Sequence, residues 1–141
     1  MRWKISILLI FVTLSLSTGA FGDVGSSIGN ALEPADWGGH GAALRVLETG
    51  AFIEFDCAIG RIHEPVKVQH SGRFSVTGKY HRERGGPVRF SEKEPKGSPA
   101  VFSGVVTGSE LLIHVELPDE GRSIGPFNLK KSLHAELEKC L

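Results

Sequence analysis

Two carboxylates stand two residues apart and are the clearest candidates in this sequence for acid/base chemistry. Glu54 and Asp56 alternate with Ile53 and Phe55, so in a strand they share one face, opposite the apolar face. Inside a barrel with a polar lumen they could act as a general acid and a general base. On the outer wall of a barrel they are merely exposed to solvent, and the spacing fits both interpretations.

Histidines and serines give weaker signals for chemistry. Three converging imidazoles could hold zinc or copper, and the chain has six: His40, His63, His70, His81, His114 and His134. None stands in an H-x-H or H-E-x-x-H arrangement, and Ser71, Ser103 and Ser109 do not lie in a G-x-S-x-G setting. The sequence therefore predicts no metal, no cofactor and no assignable catalytic residue. It leaves enzymatic activity open while favouring a protein that is not an enzyme.

Aromatic residues suggest where a ligand could bind. Trp37 stands before the first clear strand, beside two glycines, where a tryptophan either plugs the end of a small barrel or lines a ligand mouth. Tyr80 lies near a basic group that is either a solvated face or a contact for an acidic glycan or phosphate; the group comprises Arg73, Lys79, Arg82, Arg84 and Arg89. The candidate ligand-binding residues are thus Trp37, Glu54, Asp56 and Tyr80.

The first twenty residues have the pattern of a secretory signal peptide. Arg2 and Lys4 precede an apolar run, and small residues follow it. Signal peptidase could cut after Ala20 or after Gly22. The apolar run has about a dozen residues, whereas a membrane-spanning helix needs ~20. We therefore predict cleavage, no stable membrane insertion afterwards, and a mature protein that is periplasmic or secreted.

Charge limits the possible partners of the mature protein. The chain has 16 basic and 16 acidic residues, and removal of Arg2 and Lys4 leaves a net charge of about −2. Such a balance argues against a broad surface for nucleic acid or anionic lipid. The predicted partner is a small molecule or a cell-envelope component, and not nucleic acid.

The chain has two cysteines, Cys57 and Cys140. In an oxidising compartment an even number of cysteines indicates a disulfide. In the chain-entropy model a bridge over so long a loop adds stability on the order of 4 kcal/mol. A free thiol pair or a metal site is the alternative, although the C-x-x-C spacing of structural zinc sites is missing.

Short β segments separated by Gly, Pro and Asp turns occupy the chain from about Trp37. The clearest is Arg73–Arg82, where apolar and polar residues alternate throughout. Strands are predicted at residues 40–48, 52–57, 66–70, 73–82, 88–91, 100–107, 110–117 and 124–130. Ser71-Gly72 and Gly108-Ser109 are predicted hairpin turns, and residues 61–64 are predicted to be irregular.

These segments predict an all-β domain at residues 37–141, preceded by a flexible leader at residues 23–36. Residues 133–141 alternate like a strand and also repeat like a helix, and we favour a closing strand. Seven or eight antiparallel strands indicate a small meander β-barrel with one disulfide, because closure removes the exposed edges of a sheet. A β-sandwich is the alternative.

Several short motifs carry a family resemblance. They are IEFDCAIG (53–60), GRF (72–74), GKY (78–80), GGP (85–87), FSGVVTG (102–108), GPFNL (125–129) and KCL (139–141). They resemble a family of small secreted bacterial β-barrel proteins to which no function is assigned. The resemblance covers most of residues 37–141. It implies a periplasmic or extracellular setting in bacteria, and the two cysteines match its pattern, which supports the Cys57–Cys140 disulfide.

The hairpins are also similar, in a generic way, to those of lipocalin-like and avidin-like barrels. The lipocalin G-x-W signature and a biotin pocket are both missing from the sequence, so no binding residue is carried over from either family.

By architectural analogy the expected function is an exported, non-catalytic binding module for a small or cell-envelope ligand. The ligand would lie in the barrel mouth or on its surface. One alternative is a small secreted enzyme with carboxylates or histidines at one barrel end. Another is an interaction or inhibitor protein acting through the charged loop at residues 92–99. A filled barrel of this size has no interior room for a ligand, so the packing of the interior decides where a ligand can bind.

Overall fold

A computed structural model describes residues 29–83 and 96–140 of the chain. The signal peptide, its cleavage sites, residues 23–28 of the leader, the strand expected at 88–91 and residues 92–95 of the charged loop lie outside these residues. The described residues form ten strands: β1 (Asn30–Ala31), β2 (Ala35–Gly38), β3 (Ala42–Leu47), β4 (Gly50–Phe55), β5 (Ala58–Ile62), β6 (Lys67–Val68), β7 (Arg73–Arg82), β8 (Ser98–Thr107), β9 (Glu110–Leu117) and β10 (Arg122–Lys131). A 3₁₀ turn, Pro118–Glu120, joins β9 to β10.

Eight of these strands close into an antiparallel barrel. The order around the barrel is β2-β3-β4-β5-β7-β8-β9-β10, and β10 pairs back onto β2. Each barrel strand thus pairs with the barrel strands before and after it in the chain, which is an up-and-down meander. The predicted all-β meander barrel is confirmed. The other two strands, β1 and β6, pair separately as a two-stranded sheet.

The alternation visible in the sequence becomes the inner and outer faces of the barrel wall. In β9 Leu111, Ile113, Val115 and Leu117 are buried, and the residues between them, including Leu112, face outward. β7 and β9 have the predicted bounds. A regular period of two therefore sufficed to locate these strands.

Side chains fill the barrel interior around Phe102, which is 0% exposed. A Cβ atom on Gly60 or on Gly78 would lie 2.8 Å from ring atoms of Phe102. The ring therefore occupies the space that side chains at those two positions would need. A ligand of this barrel must bind at an end or on the outer wall.

Strand β5 was not predicted, since the sequence indicated an irregular piece at 61–64 after Gly60. Gly60 suggests a turn, but it lies in the middle of β5, paired with Ile53 on β4 and Tyr80 on β7. Its missing side chain accommodates the ring of Phe102. Gly60 was expected to mark a turn, whereas its role is to leave room inside a strand for the ring of Phe102.

The hairpin predicted at Ser71-Gly72 is wrong as a strand pairing. Only Lys67–Val68 of the expected strand 66–70 is extended, and it pairs with β1 rather than with β7. The chain does turn there: Gly72 has φ +81° and donates its N–H to the Gln69 carbonyl at 2.9 Å. β7 pairs instead with β5 and β8.

The chain ends of the domain also differ from the expectation. The barrel begins at Ala35, inside the stretch predicted as leader. Residues 132–140 do not form the expected closing strand, and their one bridge in the described structure joins His40 to Glu136 in parallel. The chain leaves the wall at Ser132, which has φ +61°, so the apolar residues that follow lie outside the barrel. We call residues 132–140 the strap.

The predicted disulfide is present between Cys57 and Cys140, with the Cα atoms 5.4 Å apart. Cys57 lies in the β4–β5 turn and is exposed, so it does not share the inner face of β4 as the alternation had implied. The bridge ties the end of the strap to the barrel and indicates an oxidising, non-cytoplasmic environment. Among the described residues, none belongs to a helix with the length and apolarity needed to cross a membrane.

Candidate functional site

A cavity of about 320 Å³ opens at one end of the barrel. Its floor is formed by residues from the ends of β2, β8 and β10, and its cover by residues 29–33 and 66–70, which we call the flap. Leu32, Val68 and Val106 give it an apolar wall, and Lys131 and His70 bring cationic or polar groups. The cavity thus combines an apolar surface with a few polar side chains, as small-molecule sites do.

The flap is a small element with one buried anchor. Asn30 pairs with Val68 and Ala31 with Lys67, and the Leu32 N–H donates to the Val66 carbonyl at 2.7 Å. Val66 is buried, and Leu32 and Val68 pack against the core. A two-stranded ribbon is only marginally stable by itself, so the flap depends on these apolar contacts for its position over the cavity.

Trp37 lies at the floor of this cavity. It stands opposite Leu44 on β3 and Lys131 on β10, and its side chain is 3% exposed. Its indole Nε1 is buried and has no hydrogen-bond partner among the described residues. An unpaired buried donor costs about 1–3 kcal/mol, and buried tryptophan usually has an acceptor. Trp37 therefore plugs the barrel end, lines the mouth, and has an unused donor.

One ion pair spans the mouth. The Lys131 ammonium lies 3.9 Å from a carboxylate oxygen of Glu33 on the flap. The Lys131 side chain is 41% exposed and that of Glu33 is 86% exposed. Pairs this exposed contribute about 0–1 kcal/mol because water screens them, so this contact can be exchanged at little cost.

Glu54 and Asp56 lie on the outer wall, where both hold the strap. The Lys139 ammonium donates to the Glu54 carboxylate, and this hydrogen bond and the carboxylate's charge raise the pKa of Lys139. The Glu138 N–H donates to Asp56 Oδ1 at 2.9 Å. The two carboxylates thus take the outer-wall placement, one of the two that their spacing allows, and their contacts are with the chain's own C-terminal segment.

The strap leaves a second, outer groove of about 480 Å³ against β2, β3 and β4. The outer surface of the barrel is recessed at this groove because Gly38 and Ala43, which pair across β2 and β3, have no side chain or a single methyl group. A Cβ atom on Gly38 would lie 2.1 Å from the Leu133 carbonyl oxygen. The close approach of the strap thus explains the glycine at this position.

Tyr80, the fourth predicted ligand residue, lies in the core toward the opposite end of the barrel. It is 8% exposed, and its ring centroid is 5.8 Å from that of Phe55, which in turn is 5.2 Å from that of Phe127. Burial raises the pKa of its phenol. Of the four predicted residues, the structure brings only Trp37 to the mouth.

A serine–histidine pair on the outer wall was not singled out by the sequence. Ser103 Oγ lies 3.0 Å from His114 Nε2, and the nearest Glu116 oxygen lies 3.6 Å from the same nitrogen. A catalytic triad needs the carboxylate on the other ring nitrogen, Nδ1. The pair is therefore a cross-strand contact. Its signal was available, because Ser103 and His114 are equally distant from the Gly108-Ser109 turn.

The histidines do not converge in the described parts of the chain. Within residues 29–83 and 96–140, no cluster of three or more His, Cys, Asp or Glu side chains is placed to hold a metal ion.

No protein-family model, curated protein or solved structure matches this chain. The fold and the contacts of its own residues are therefore the basis on which its function is argued.

Proposed function

We propose that the mature protein is an exported, non-catalytic binding module that holds a small molecule at the barrel mouth, beneath the flap. The observation that carries this proposal concerns Trp37: this residue lines the cavity, and its buried indole N–H has no acceptor among the described residues. A bound molecule with a hydrogen-bond acceptor would satisfy that donor. It would thereby recover free energy that the ligand-free fold forgoes.

The size and position of the cavity support the proposal. A volume of about 320 Å³ lies at the lower end of the range for small-molecule sites, and it holds roughly ten water-sized groups at ~30 Å³ each. Because side chains fill the barrel around Phe102, a ligand must bind outside the core, and the mouth offers it the apolar side chains of Leu32, Val68 and Val106. The disulfide is consistent with a periplasmic or secreted protein.

The enzyme alternative has less support. Glu54 and Asp56, the carboxylates proposed for it, contact Lys139 and the backbone of Glu138. Half of the charged loop at 92–99, on which the interaction-protein alternative depends, lies outside the described residues.

Native mass spectrometry of the mature protein, purified from its own exported fraction without reductant, tests the proposal. We expect a bound mass above that of the oxidised chain. Val106→Phe should remove that mass, because Val106 lines the cavity and a larger side chain there fills it. Val105→Phe is the matched control, since Val105 lies on the opposite face of β8 outside the cavity.

Two results would contradict the proposal. One is a bare oxidised chain for the wild-type protein in repeated preparations. The other is a ligand retained by Val106→Phe as fully as by Val105→Phe, which would place the bound molecule elsewhere.

A further inference from the structure

We infer that the ligand of the mouth cavity is a small carboxylic acid with a short apolar chain, whose carboxylate takes the place of Glu33 beside Lys131. This inference rests on the proposed function and adds the chemical class of the molecule bound. Three features of the same cavity carry it: an exchangeable ion pair, an unused donor and an apolar wall.

The ion pair identifies the charge of the ligand. Lys131 lines the cavity and has Glu33 as its carboxylate partner at 3.9 Å. Glu33 sits on the flap with its side chain almost fully in water, whereas the Lys131 side chain is more than half covered. An anion inside the cavity lies beside this partly covered lysine, where water screens the attraction less than at the exposed Glu33. The contact with Glu33 thus indicates that Lys131 binds a carboxylate group.

The unused donor identifies the hydrogen-bonding character of the ligand. The indole of Trp37 can only donate, and so can the ammonium of Lys131. These two residues are neighbours across the β2–β10 seam, where Trp37 stands directly opposite Lys131. A carboxylate suits this pair, because its two oxygens accept and do not donate. A protonated amine ligand would place its positive charge beside the Lys131 ammonium and would offer the Trp37 N–H no acceptor.

The apolar wall identifies the rest of the molecule. Leu32 and Val68 on the flap and Val106 on the barrel rim pack against the core and line the cavity. A short hydrocarbon chain placed there is removed from water, at about 0.8 kcal/mol per methylene. Octanoate, with about ten non-hydrogen atoms, matches a cavity that holds roughly ten water-sized groups.

Calorimetric titration of the mature, oxidised protein at pH 8 with octanoate and with octanamide tests the inference. The two probes have the same shape and differ in charge. We expect octanoate to bind about tenfold more tightly, because a charge-assisted hydrogen bond is roughly twice as strong as a neutral one.

Two variants locate the effect on the ion pair. Lys131→Met keeps the aliphatic stem and removes the charge, so octanoate and octanamide should bind with equal affinity. Glu33→Gln removes the internal competitor and should tighten octanoate binding about two- to fivefold. Octanamide should gain less from Glu33→Gln than octanoate does, because its uncharged carbonyl makes the weaker hydrogen bond with Lys131.

The outcomes separate this inference from the proposed function. Equal binding of octanoate and octanamide to the wild-type protein would overturn the carboxylate class and leave the mouth site standing. A charge preference that persists in Lys131→Met would also overturn it. Absence of binding by both probes refutes the inference; if the exported protein also carries no bound mass, the proposed function fails with it.

Discussion

Replacing Phe102 by alanine tests whether the barrel interior is filled, which is the reason for placing the ligand at the mouth. Phe102 is fully buried between Val76 on β7 and Val115 on β9. Removing a buried phenylalanine costs about 3–5 kcal/mol. We expect the upper half of that range, because the ring lies over Gly60 and Gly78, which have no side chains to refill the space.

Gly60→Ala is the complementary change to Phe102→Ala. The added methyl would lie 2.8 Å from the ring of Phe102, and such overpacking costs about 1–3 kcal/mol. In the Phe102→Ala background the same methyl enters free space, so it should cost little or restore stability. The free energy of coupling between the two changes should therefore have a magnitude of about 1–3 kcal/mol.

Equilibrium urea unfolding of the oxidised proteins, followed by far-ultraviolet circular dichroism, measures these free energies. The account of a filled interior would be refuted by a loss below about 1.5 kcal/mol in Phe102→Ala. It would equally be refuted if Gly60→Ala had the same cost in both backgrounds.

Three further predictions concern the disulfide, the mouth and the core. Replacing Cys57 and Cys140 by serine removes a bridge across a sequence separation of 83. Urea unfolding should show that the free energy of unfolding falls by up to about 4.5 kcal/mol while the barrel is retained. An unfolded double variant would show instead that the barrel depends on the strap. Trp37→Phe removes the unpaired N–H, whose burial is unfavourable, together with part of the ring, whose burial is favourable. The free energy of unfolding of the ligand-free protein should therefore change by less than about 1 kcal/mol, while ligand affinity falls about five- to tenfold. Unchanged affinity would contradict the role given to the indole. Burial raises the pKa of Tyr80, so the unfolded chain loses the phenol proton at a lower pH than the folded protein does. Stability should therefore fall as the pH rises from 10.0 through the folded pKa. Phenolate absorbance of this single tyrosine measures the shift, and a phenol that titrates at or below 10.0 in the folded protein would rule the shift out.

The parts of the fold that the sequence predicted are those determined by local alternation. β7 and β9 show a period of two, interrupted in β9 only by Leu112, and were located to the residue. β5 was missed because Gly60 serves the packing of Phe102, a residue on another strand. The segment 133–141 was assigned as a strand because Leu133, Ala135 and Leu137 alternate and because a bridged Cys140 had to reach the second strand. Nothing local shows that the chain leaves the wall at Ser132.

The candidate site could be predicted only in part, since most of its contacts join distant segments. Trp37 was identified by its residue type and its place before the first strands, but its neighbour Lys131 arrives only when the barrel closes. The spacing of Glu54 and Asp56 allowed an outer-wall or a lumenal placement, and the structure places them on the outer wall. Their partners are residues 82 to 85 positions further along the chain, which alternation cannot reveal.

The indole N–H resonance of Trp37, followed by nitrogen-15 NMR, tests most directly whether the mouth binds a ligand. The chain has two tryptophans, and the other, Trp3, lies in the predicted signal peptide, so the mature protein should give a single indole signal. We expect this signal to shift progressively and saturate when octanoate, or the material released from the exported protein, is added. We expect no such shift in Val106→Phe. An indole signal that stays fixed while backbone amides elsewhere in the protein shift would contradict the account.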